Sequence, residues 1–429
     1  MQLRIVGAGW AGLAAAVAAC ERGWSVHLWD ASHHGGGRAR ALPDTASGAA
    51  FDNGQHILIG AYQATLTLMR TVGVDPEAVL WRTPLDLRDA QGRGLRLPAI
   101  ARPWHVAFGA AWGVAWGVVW GNDWPWSARW ALCRAALTWQ RQGFTCPAEW
   151  SVTRLCQVHG LPAAVVVSLI EPLCLSALNT HPDEASAQVF LRVLHDGLLG
   201  GRGASDLLLP RTDLSSLLVT PALQWLRARG AQVHLGAHIT APHFDALVAE
   251  SSPDRPLLLA VPSREAARLC EAHAPAWVQT AAQLQARSIA TVYLQVHDAG
   301  FAGLTRPMQA LQSHADAPAQ FVFCRQTLCH QPRSLAAVVS DCRLSRASLA
   351  TQVQAQVQAQ LGLRDVRVVQ TLIDRHATFA CTPGLQRPPA QISAHLWACG
   401  DYVQGPYPAT LEGAVRSGQQ VIAQLAHMR

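Results

Sequence analysis

The alternation of apolar and polar positions is clearest in the first thirty residues. Gln2–Val6 is a short run rich in branched apolar residues and predicts a buried strand, and Ser25–Asp30 predicts a second strand that ends in an acid. The alanine-rich run Ala11–Arg22 lies between them and favours a helix, with Gly23 at the position that commonly follows a helix end. Strand, helix and strand in this order predict a βαβ unit with parallel strands.

Runs that predict strands and runs that predict helices recur along the rest of the chain. A helix that ends at about Leu199 follows a turn in which Thr180 or Asp183 is the expected N-cap. Residues 287–380 alternate strands with one helix, Ser345–Leu361, and predict an antiparallel sheet with a helical cover. The strands expected there are Ala290–Val296, Phe321–Cys324, Ala336–Ser340 and Arg367–Leu372. Strands are also expected at Asp206–Arg211, Gln232–Leu235, Leu257–Pro262 and Leu396–Asp401. The chain therefore predicts an α/β fold in which a separate α+β domain accompanies a doubly wound parallel sheet.

Three glycines at the first strand-to-helix turn carry the first chemical signal. Gly7, Gly9 and Gly12 form a G-x-G-x-x-G, and Asp30 lies eighteen residues beyond the third glycine. In such a motif the glycines allow a tight turn, a close approach of backbone to a pyrophosphate, and close packing of helix on strand. The acid accepts hydrogen bonds from a ribose. Because the motif lies inside a complete βαβ unit, it predicts a dinucleotide site.

Two further segments extend this prediction. Gly36-Gly37-Arg38 follows the second strand and is consistent with a loop that brings an arginine to the pyrophosphate, or with a flexible surface turn. Gly400-Asp401 ends a strand near the C-terminus, and a helix over 410–426 follows a stiff Pro-Tyr-Pro turn. Gly413 and Ser417 give that helix one nearly flat face, which suits a planar ring, although a plain amphipathic helix fits the same pattern.

The charged residues and the cysteines of the chain limit which ligands and partners are expected. The net charge of +6 is carried by arginine alone, because the chain has no lysine, and no basic run predicts nucleic-acid binding. Eleven cysteines without a C-x-x-C pair predict neither a disulfide framework nor a metal site, and indicate a reducing compartment. The first residues are themselves a predicted strand, so we expect no signal peptide.

Residues 104–150 hold nine of the sixteen tryptophans. Trp112, Trp116 and Trp120 recur at every fourth position, as do glycines on the neighbouring face of a predicted helix. The uncharged run 106–121 is shorter than the ~20 residues that span a bilayer. A helix lying in one leaflet, or an apolar lid over a substrate tunnel, fits this pattern, as does an ordinary core helix packed through its glycines.

The motifs together resemble the superfamily of FAD-dependent amine oxidases and carotenoid desaturases. Longer blocks, including FDNGQHILIGAY, EPLCLSALNT and PYPATLEGAVRSG, closely resemble the hydroxysqualene dehydroxylase family over essentially the whole chain. The resemblance implies an amine oxidase-like fold with a discontinuous FAD-binding domain (1–60, 205–280 and 386–429) and a substrate-binding domain (61–204 and 281–385). It places Ile239 at the adenine, and His34 stands where the superfamily usually has another arginine. The residues that it assigns to FAD are Gly7, Gly9, Gly12, Asp30, Gly36, Gly37, Arg38, Ile239, Gly400, Asp401, Leu411, Glu412, Gly413 and Ala414.

The function implied by this resemblance is reductive removal of the allylic hydroxyl of hydroxysqualene, which gives squalene for bacterial squalene and hopanoid synthesis. The resemblance also implies a long-chain isoprenoid substrate and a functional link to squalene-pathway enzymes. The tryptophan-rich segment adds the expectation of peripheral contact with the cytoplasmic face of the plasma membrane. No second glycine motif follows a strand, so the reducing equivalents are expected from outside the chain. NADPH acting on the flavin and a separate reductase are both open.

Loss of a hydroxyl needs an acid, because hydroxide is a poor leaving group. His56 and His195 are the preferred catalytic candidates, since histidine is readily protonated near neutral pH, and each also fits a structural hydrogen-bonding role. The full set of candidate acids is His56, His181, Asp183, His195, Asp196 and Asp206.

Two other functions fit the same motifs. An oxidative flavoenzyme, either a carotenoid-type desaturase or an amine oxidase, is the first, and the absence of lysine argues against the amine oxidase variant. A non-catalytic flavin-bound lipid carrier is the second. Substrate-dependent flavin redox change distinguishes an enzyme from a carrier.

Overall fold

The computed structural model describes residues 1–42, 51–92, 96, 124–201 and 203–428. Its strands are β1 Gln2–Val6, β2 Ser25–Asp30, β3 Leu58–Ile59, β4 Leu80–Thr83, β5 Leu207–Pro210, β6 Gln232–Leu235, β7 Leu257–Leu259, β8 Ala286–Val296, β9 Met308–Ala310, β10 Phe321–Cys324, β11 Ser334–Ser340, β12 Val366–Phe379 and β13 Leu396–Ala398. Its α-helices are α1 Trp10–Glu21, α2 Gln63–Thr71, α3 Pro76–Val79, α4 Trp126–Arg141, α5 Val152–Val158, α6 Ala163–Val165, α7 Glu171–Leu178, α8 Ala187–Leu199, α9 Thr220–Ala228, α10 Ala241–Ala249, α11 Ser263–Cys270, α12 Pro275–Ala282, α13 Arg325–Cys329, α14 Arg346–Leu361 and α15 Leu411–His427. Short π-helical segments at Val166–Ile170 and Ser215–Val219 lead into α7 and α9.

The first sheet has five strands in the order β13-β7-β1-β2-β6, and every adjacent pair is parallel. This confirms the predicted βαβ unit, with Gln2 opposite Ser25 and Val6 opposite Trp29. Helix α1 begins one residue earlier than expected and is buried on nearly all sides. It packs against α15 so closely that a Cβ on Gly418 would lie 2.2 Å from the Ala11 carbonyl oxygen.

The second sheet has five strands in the order β12-β8-β11-β10-β9 and is antiparallel. The four expected strands are present, but the expectation of a single helix in this region is wrong, since α13 lies between β10 and β11. Strand β9 was also not predicted. Both elements are too short, at three and five residues, to show a period in the sequence. Helix α14 covers one face through Leu349, Val353 and Val357.

A third, small sheet joins distant parts of the chain in the order β3-β5-β4. Strand β5 confirms the predicted run at 206–211, and it pairs antiparallel with both neighbours. Because β3 follows the 51–56 segment and β5 follows α8, this sheet brings the segment containing His56 close to the end of α8.

The N-cap prediction for α8 is wrong. Ser186 is the N-cap, and its hydroxyl accepts a hydrogen bond from Val189 N at 3.5 Å. Thr180 instead donates to the Leu178 carbonyl, and Asp183 accepts a bond from the Thr153 hydroxyl. The cap is displaced because 181–185 form a turn of their own before the helix begins.

Residues 104–123 of the tryptophan-rich segment, with Trp112, Trp116 and Trp120, lie outside the described residues. The described remainder contains α4, whose inner face packs through Ala128, Leu132 and Ala135. Trp126 and Trp130 on its outer face are 62% and 71% exposed. Within the described ranges, the helices are all too short or too polar to cross a membrane.

Candidate active site

The glycine loop after β1 has the geometry of a phosphate-binding turn. Gly7 has φ +110°, and a Cβ there would lie 2.4 Å from the Ala260 carbonyl oxygen. A Cβ on Gly12 would lie 2.0 Å from the Gly7 carbonyl oxygen. At Gly9 the nearest atom to an added Cβ is the Gly37 Cα, 3.9 Å away. Gly7 and Gly12 are therefore required by packing, whereas Gly9 borders open space in which a ligand can approach the backbone.

A cavity of about 940 Å³ begins at this loop. Its volume lies near the upper end of the range for ligand sites, which is roughly 300–1,000 Å³. One end is lined by residues of the glycine loops and of the turn after β13. The other end is apolar and includes Leu132, Leu169, Phe190, Met308 and Phe323. A single cavity thus connects the predicted dinucleotide loop to an apolar chamber.

The structure brings most of the predicted FAD residues to this cavity. Those that line it are Gly9, Gly36, Gly37, Arg38, Gly400, Asp401, Leu411, Glu412 and Ala414. Gly7, Gly12, Asp30, Ile239 and Gly413 are not in the lining. Asp30 lies at the end of β2 and accepts hydrogen bonds from Ala8 N at 2.6 Å and Ser32 N at 2.7 Å, and Ile239 is buried in the loop after β6.

Arg38 and Asp401 meet across the cavity. The Arg38 Nη2 atom donates to the Asp401 carboxylate at 2.6 Å, and its Nη1 atom donates to the Ala377 carbonyl at 2.6 Å. Ala377 lies in β12, so this one arginine joins the second glycine loop, the turn after β13 and the antiparallel sheet. The guanidinium is thereby fixed at the junction between the two ends of the cavity.

Glu412 lies in the first turn of the last helix, α15, and also caps another helix. Its buried carboxylate accepts hydrogen bonds from Ala64 N at 3.0 Å and Thr65 N at 2.9 Å, which are unpaired donors at the start of α2. Arg416 donates to the same carboxylate at 2.7 Å. Thr410 caps the helix itself by accepting a bond from Gly413 N at 3.0 Å. The carboxylate of Glu412 therefore holds α2 to α15 and positions the helix N-terminus at the cavity wall.

Arg387 is a functional residue that sequence reasoning did not identify. Its guanidinium is largely buried and donates to five backbone carbonyls, those of Asp401, Tyr402, Val403, Gly405 and Tyr407. Burial lowers its pKa. This one side chain holds the whole turn between β13 and α15 in place. No local pattern marks such a role, since the contacts depend on a turn fourteen or more residues away.

The candidate acids separate into two groups. His56 and Asp196 line the cavity, whereas His181, Asp183, His195 and Asp206 do not. The His56 Nδ1 atom lies 3.1 Å from the Gly54 carbonyl oxygen, and burial lowers the pKa of its imidazole. His195 is 47% exposed, and its Nδ1 atom lies 2.8 Å from the Asp196 carboxylate. His56 thus faces the cavity as a mainly neutral imidazole, and His195 reaches it only through Asp196.

Asp52 lies just behind the cavity wall and was not singled out from the sequence. Burial raises the pKa of its carboxyl to about 6, although a hydrogen bond from Leu214 N at 2.9 Å opposes this. The Asp52 carbonyl accepts a bond from the Tyr293 hydroxyl at 2.9 Å. Asp52 therefore ties the segment that carries His56 to β8 and to the loop after β5.

These features define a flavin-dependent oxidoreductase, and comparison with known proteins agrees. Residues 10–425 match the family described as flavin containing amine oxidoreductase, and the chain belongs to that family. The chain is therefore an enzyme of the flavin-dependent oxidoreductase class. The predicted amine oxidase-like fold is confirmed.

More specific relatives cover nearly the whole chain. The chain is 29% identical over 445 residues to a hydroxysqualene dehydroxylase of Rhodopseudomonas palustris, with 97% of the chain and 96% of the relative covered. It is 26% identical over 443 residues to a hydroxysqualene dehydroxylase of Sinorhizobium fredii, with the same coverage. The predicted resemblance to this group is confirmed.

Solved structures share the fold at low identity. An oxidoreductase from Methanosarcina mazei superposes with a TM-score of 0.70 at 13% identity, covering 99% of this chain and 100% of that one. Putrescine oxidase bound to putrescine superposes with a TM-score of 0.62 at 17% identity, covering 100% and 99%. At these identities the likeness concerns the fold alone.

The residues of the cavity fit a flavin. The open space at Gly9, where an added Cβ would project beside Gly37, leaves backbone accessible to a phosphate group. The first turn of α15 lines the same cavity and directs its positive dipole end into it.

Proposed function

We propose that this chain is an FAD-dependent hydroxysqualene dehydroxylase, which converts hydroxysqualene to squalene in bacterial squalene and hopanoid synthesis. The observation that carries the proposal is the continuity of the cavity, which joins a dinucleotide loop to an apolar chamber large enough for part of a long hydrocarbon chain. The full-length similarity to two enzymes of that name supports the choice of substrate.

FAD is the proposed form of the flavin. Gly9, Gly36, Gly37 and Arg38 would face the pyrophosphate, while Asp30 and Ile239 would hold the adenosine end. Asp30 supports this because each carboxylate oxygen accepts one backbone bond and keeps a lone pair free. Gly400, Asp401 and the first turn of α15, Leu411 to Ala414, would face the ring and its ribityl chain, and Gly7 and Gly12 keep the turn closed.

Dehydroxylation replaces the C–O bond of the substrate by a C–H bond. The C–O bond breaks with its electron pair on oxygen, which takes one proton and leaves as water. When bound and reduced, a flavin would supply the hydride that the allylic carbon takes up, and would be oxidised in doing so. The chain has to hold the hydroxyl, deliver one proton, and exclude water that would recapture the allylic cation.

His56 is proposed to orient the substrate hydroxyl. Its lowered pKa favours the neutral imidazole, which carries one hydrogen-bond donor and one acceptor. The apolar lining from Leu132, Leu169 and Phe190 excludes water around the reacting carbon. His195 is proposed to act from outside the cavity wall.

NADPH is the proposed external reductant, and the alternative is a separate reductase. The distinction is measured by mixing oxidised, flavin-loaded protein with NADPH under anaerobic conditions and following flavin absorbance. Bleaching on the timescale of turnover supports direct reduction. Full retention of the oxidised spectrum assigns the role to a separate protein.

Peripheral contact with an anionic membrane on the cytoplasmic side is proposed for the outer face of α4. Trp126 and Trp130 are exposed there, Arg129 lies over the Trp126 ring at 5.1 Å, and the inner face of the same helix lines the cavity. Trp126→Ser with Trp130→Ser should reduce co-sedimentation with phosphatidylglycerol vesicles several-fold. Trp81→Ser, which alters a 37% exposed tryptophan on β4, is the matched control.

The proposed domain division keeps residues 1–60, 205–280 and 386–429 as the FAD-binding part, and 61–204 and 281–385 as the substrate-binding part. The parallel sheet supports it, because its five strands all come from the first set. Helix α2 is bound to α15 by Glu412 across the proposed boundary.

The deciding experiment uses purified protein with its flavin reduced under anaerobic conditions. Hydroxysqualene is added in detergent, and flavin absorbance and extracted lipid are followed together. Flavin re-oxidation with one squalene formed per flavin is the expected result. If the flavin stays reduced and hydroxysqualene is recovered unchanged, the proposed dehydroxylase function is wrong. Oxidised protein would then be assayed for desaturation of polyprenoids, and lipid binding with an inert flavin would indicate a carrier.

A further inference from the structure

The proposed reaction requires that a proton from solvent reach the substrate inside an apolar chamber. Each turnover consumes one proton at the departing hydroxyl, but the chamber around it is lined mainly by apolar side chains. Water that entered freely would recapture the allylic cation. A proton therefore has to cross the cavity wall along side chains, and the wall should contain a hydrogen-bonded path from the cavity to solvent.

Tyr407 lies at the inner end of such a path. It lines the cavity in the turn before α15, where Arg387 holds its backbone carbonyl at 2.6 Å. Two guanidinium groups lie against its ring, with Arg192 Cζ at 5.3 Å and Arg416 Cζ at 5.5 Å from the ring centroid. Arg192 also donates to its hydroxyl oxygen at 3.4 Å. Burial raises the pKa of Tyr407, so the phenol keeps its proton at neutral pH.

Asp196 connects Tyr407 to the next group. It lines the cavity and shares Arg192 with Tyr407, whose hydroxyl oxygen accepts a bond from Arg192 Nη2 at 3.4 Å. Its Oδ2 atom accepts a bond from Arg192 Nε at 2.9 Å, and its Oδ1 atom lies 2.8 Å from His195 Nδ1. Burial by itself would raise the pKa of Asp196, but its interactions with His195, Arg192 and Tyr407 outweigh burial and lower it. The carboxylate therefore rests ionised between a phenol and an imidazole.

His195 is the outer end of the path. It is 47% exposed, and its ring packs edge-on against Phe144 at 5.3 Å. Asp196 is the charged group that contacts it. Two other carboxylates of the cavity lead elsewhere: Asp401 is paired with Arg38, and Glu412 is bound by α2 and Arg416. Histidine exchanges protons with water near neutral pH, which suits an entry point.

We propose that His195, Asp196 and Tyr407 form the route by which solvent protons reach the departing hydroxyl, with Tyr407 as the group that touches the substrate. This inference rests on the proposed dehydroxylation. As the C–O bond breaks, the Tyr407 O–H bond breaks and its proton goes to the leaving oxygen, which departs as water. The tyrosinate, a strong base, then recovers a proton through Asp196, and His195 replaces that proton from solvent.

The test uses flavin-loaded, pre-reduced protein mixed with hydroxysqualene in a stopped-flow instrument. Tyr407→Phe should slow single-turnover flavin re-oxidation about a hundredfold, since a positioned acid typically contributes 10²–10⁴-fold. Asp196→Asn should slow it about tenfold or more. His195→Ala should slow it about tenfold at neutral pH, and added imidazole should restore the rate in proportion to its concentration. The wild-type rate should show a solvent deuterium isotope effect.

His273→Ala is the matched control. The His273 Nε2 atom lies 2.7 Å from the Asp245 carboxylate, and its ring packs edge-on against Phe244 at 5.5 Å, so it repeats the His195 environment away from the cavity. It should leave the rate unchanged and show no imidazole effect. Flavin content and absorbance spectrum report whether each variant is folded.

The outcomes separate the two proposals. If the wild-type protein forms squalene but Tyr407→Phe keeps its rate, or imidazole fails to restore folded His195→Ala, the relay is wrong while the dehydroxylase function stands. If the wild-type protein forms no squalene, the function fails and the relay fails with it. If Asp196→Asn does not fold, Tyr407→Phe and the imidazole response still decide the question.

Discussion

The glycine-loop end of the cavity is formed mainly by backbone atoms, whereas its apolar end is formed by side chains. At the glycine loop, backbone atoms are in contact with backbone atoms: added Cβ atoms on Gly7 and Gly12 would lie 2.4 Å and 2.0 Å from carbonyl oxygens. At the apolar end the wall includes side chains from α4, the π-helical segment Val166–Ile170, α8, β9 and β10, which lie far apart in sequence. Gly7 and Gly12 therefore tolerate no added atoms, whereas the apolar end can be reshaped by exchanging one side chain for another.

The most severe test of this contrast is Gly12→Ala. The new methyl group meets a backbone carbonyl and the Ala260 side chain, so the turn has to open, at a cost of about 3 kcal/mol or more. We expect purified protein without flavin and with a strongly lowered melting temperature. Gly300→Ala, at a position with nothing within 4 Å of an added Cβ, should keep its flavin. Normal flavin content in Gly12→Ala would contradict the packing argument.

Arg387→Met comes next in expected size. Removing the guanidinium leaves up to five backbone carbonyls without their donor, which we expect to lower the free energy of unfolding by about 3 kcal/mol. Because the released turn carries Asp401 and Tyr407, flavin affinity should fall as well. Chemical denaturation and flavin titration measure the two effects. Arg367→Met, at an arginine whose side chain is 69% exposed, should change neither.

Asp52→Asn tests the contacts behind the cavity wall that hold the segment carrying His56. Burial raises the pKa of Asp52 from 3.8 to about 6, so the folded protein binds this proton more tightly than the unfolded chain. As the pH rises from about 4 to about 6, Asp52 is therefore expected to lower the free energy of unfolding of the wild-type protein by up to about 3 kcal/mol. The asparagine variant should lack this loss and be more stable than wild type above pH 6. Denaturation at several pH values measures the difference, with exposed Asp316→Asn as control. Identical pH profiles for wild type and Asp52→Asn would rule the idea out.

The smallest effect is expected from Ala136→Trp on the inner face of α4. The indole would occupy part of the apolar chamber, so kcat/KM for hydroxysqualene should fall about tenfold, or about 1.4 kcal/mol. Flavin content should be unchanged, because the substitution lies away from the glycine loop. A ten-carbon allylic alcohol offers an internal control, since a short substrate should lose less than a long one. Equal losses for both substrates would place the defect in the chemistry rather than in the chamber.

The same contrast explains how far the sequence could predict the molecule. The βαβ unit and the glycine turn were predicted nearly to the residue. Within residues 2–30, the apolar patterns of the strands and the helix, and the glycines between them, mark each element locally. The turn with Gly400 and Asp401 and the helix expected over 410–426 followed from equally local signals, and the structure adds that Thr410 is the cap of that helix.

What the sequence did not predict depends on contacts between distant segments. Tyr407 appeared only as part of a stiff turn, and its place beside Arg192 and Asp196 requires α8 to pack next to α15's first turn. Arg387 had no pattern at all. His195 was chosen as an acid by residue type, but the helical register turned its neighbour Asp196 to the cavity instead.

The close crossing of α1 and α15 has a consequence for biosynthesis. The two helices that meet at Ala11 and Gly418 lie four hundred residues apart, and β13 joins the parallel sheet only after β7 is in place. During translation the N-terminal βαβ unit emerges first but lacks the partner that covers α1. Its alanine-rich surface then stays uncovered until the 396–427 segment leaves the ribosome, so flavin capture is expected to be a late, post-translational event that completes the fold.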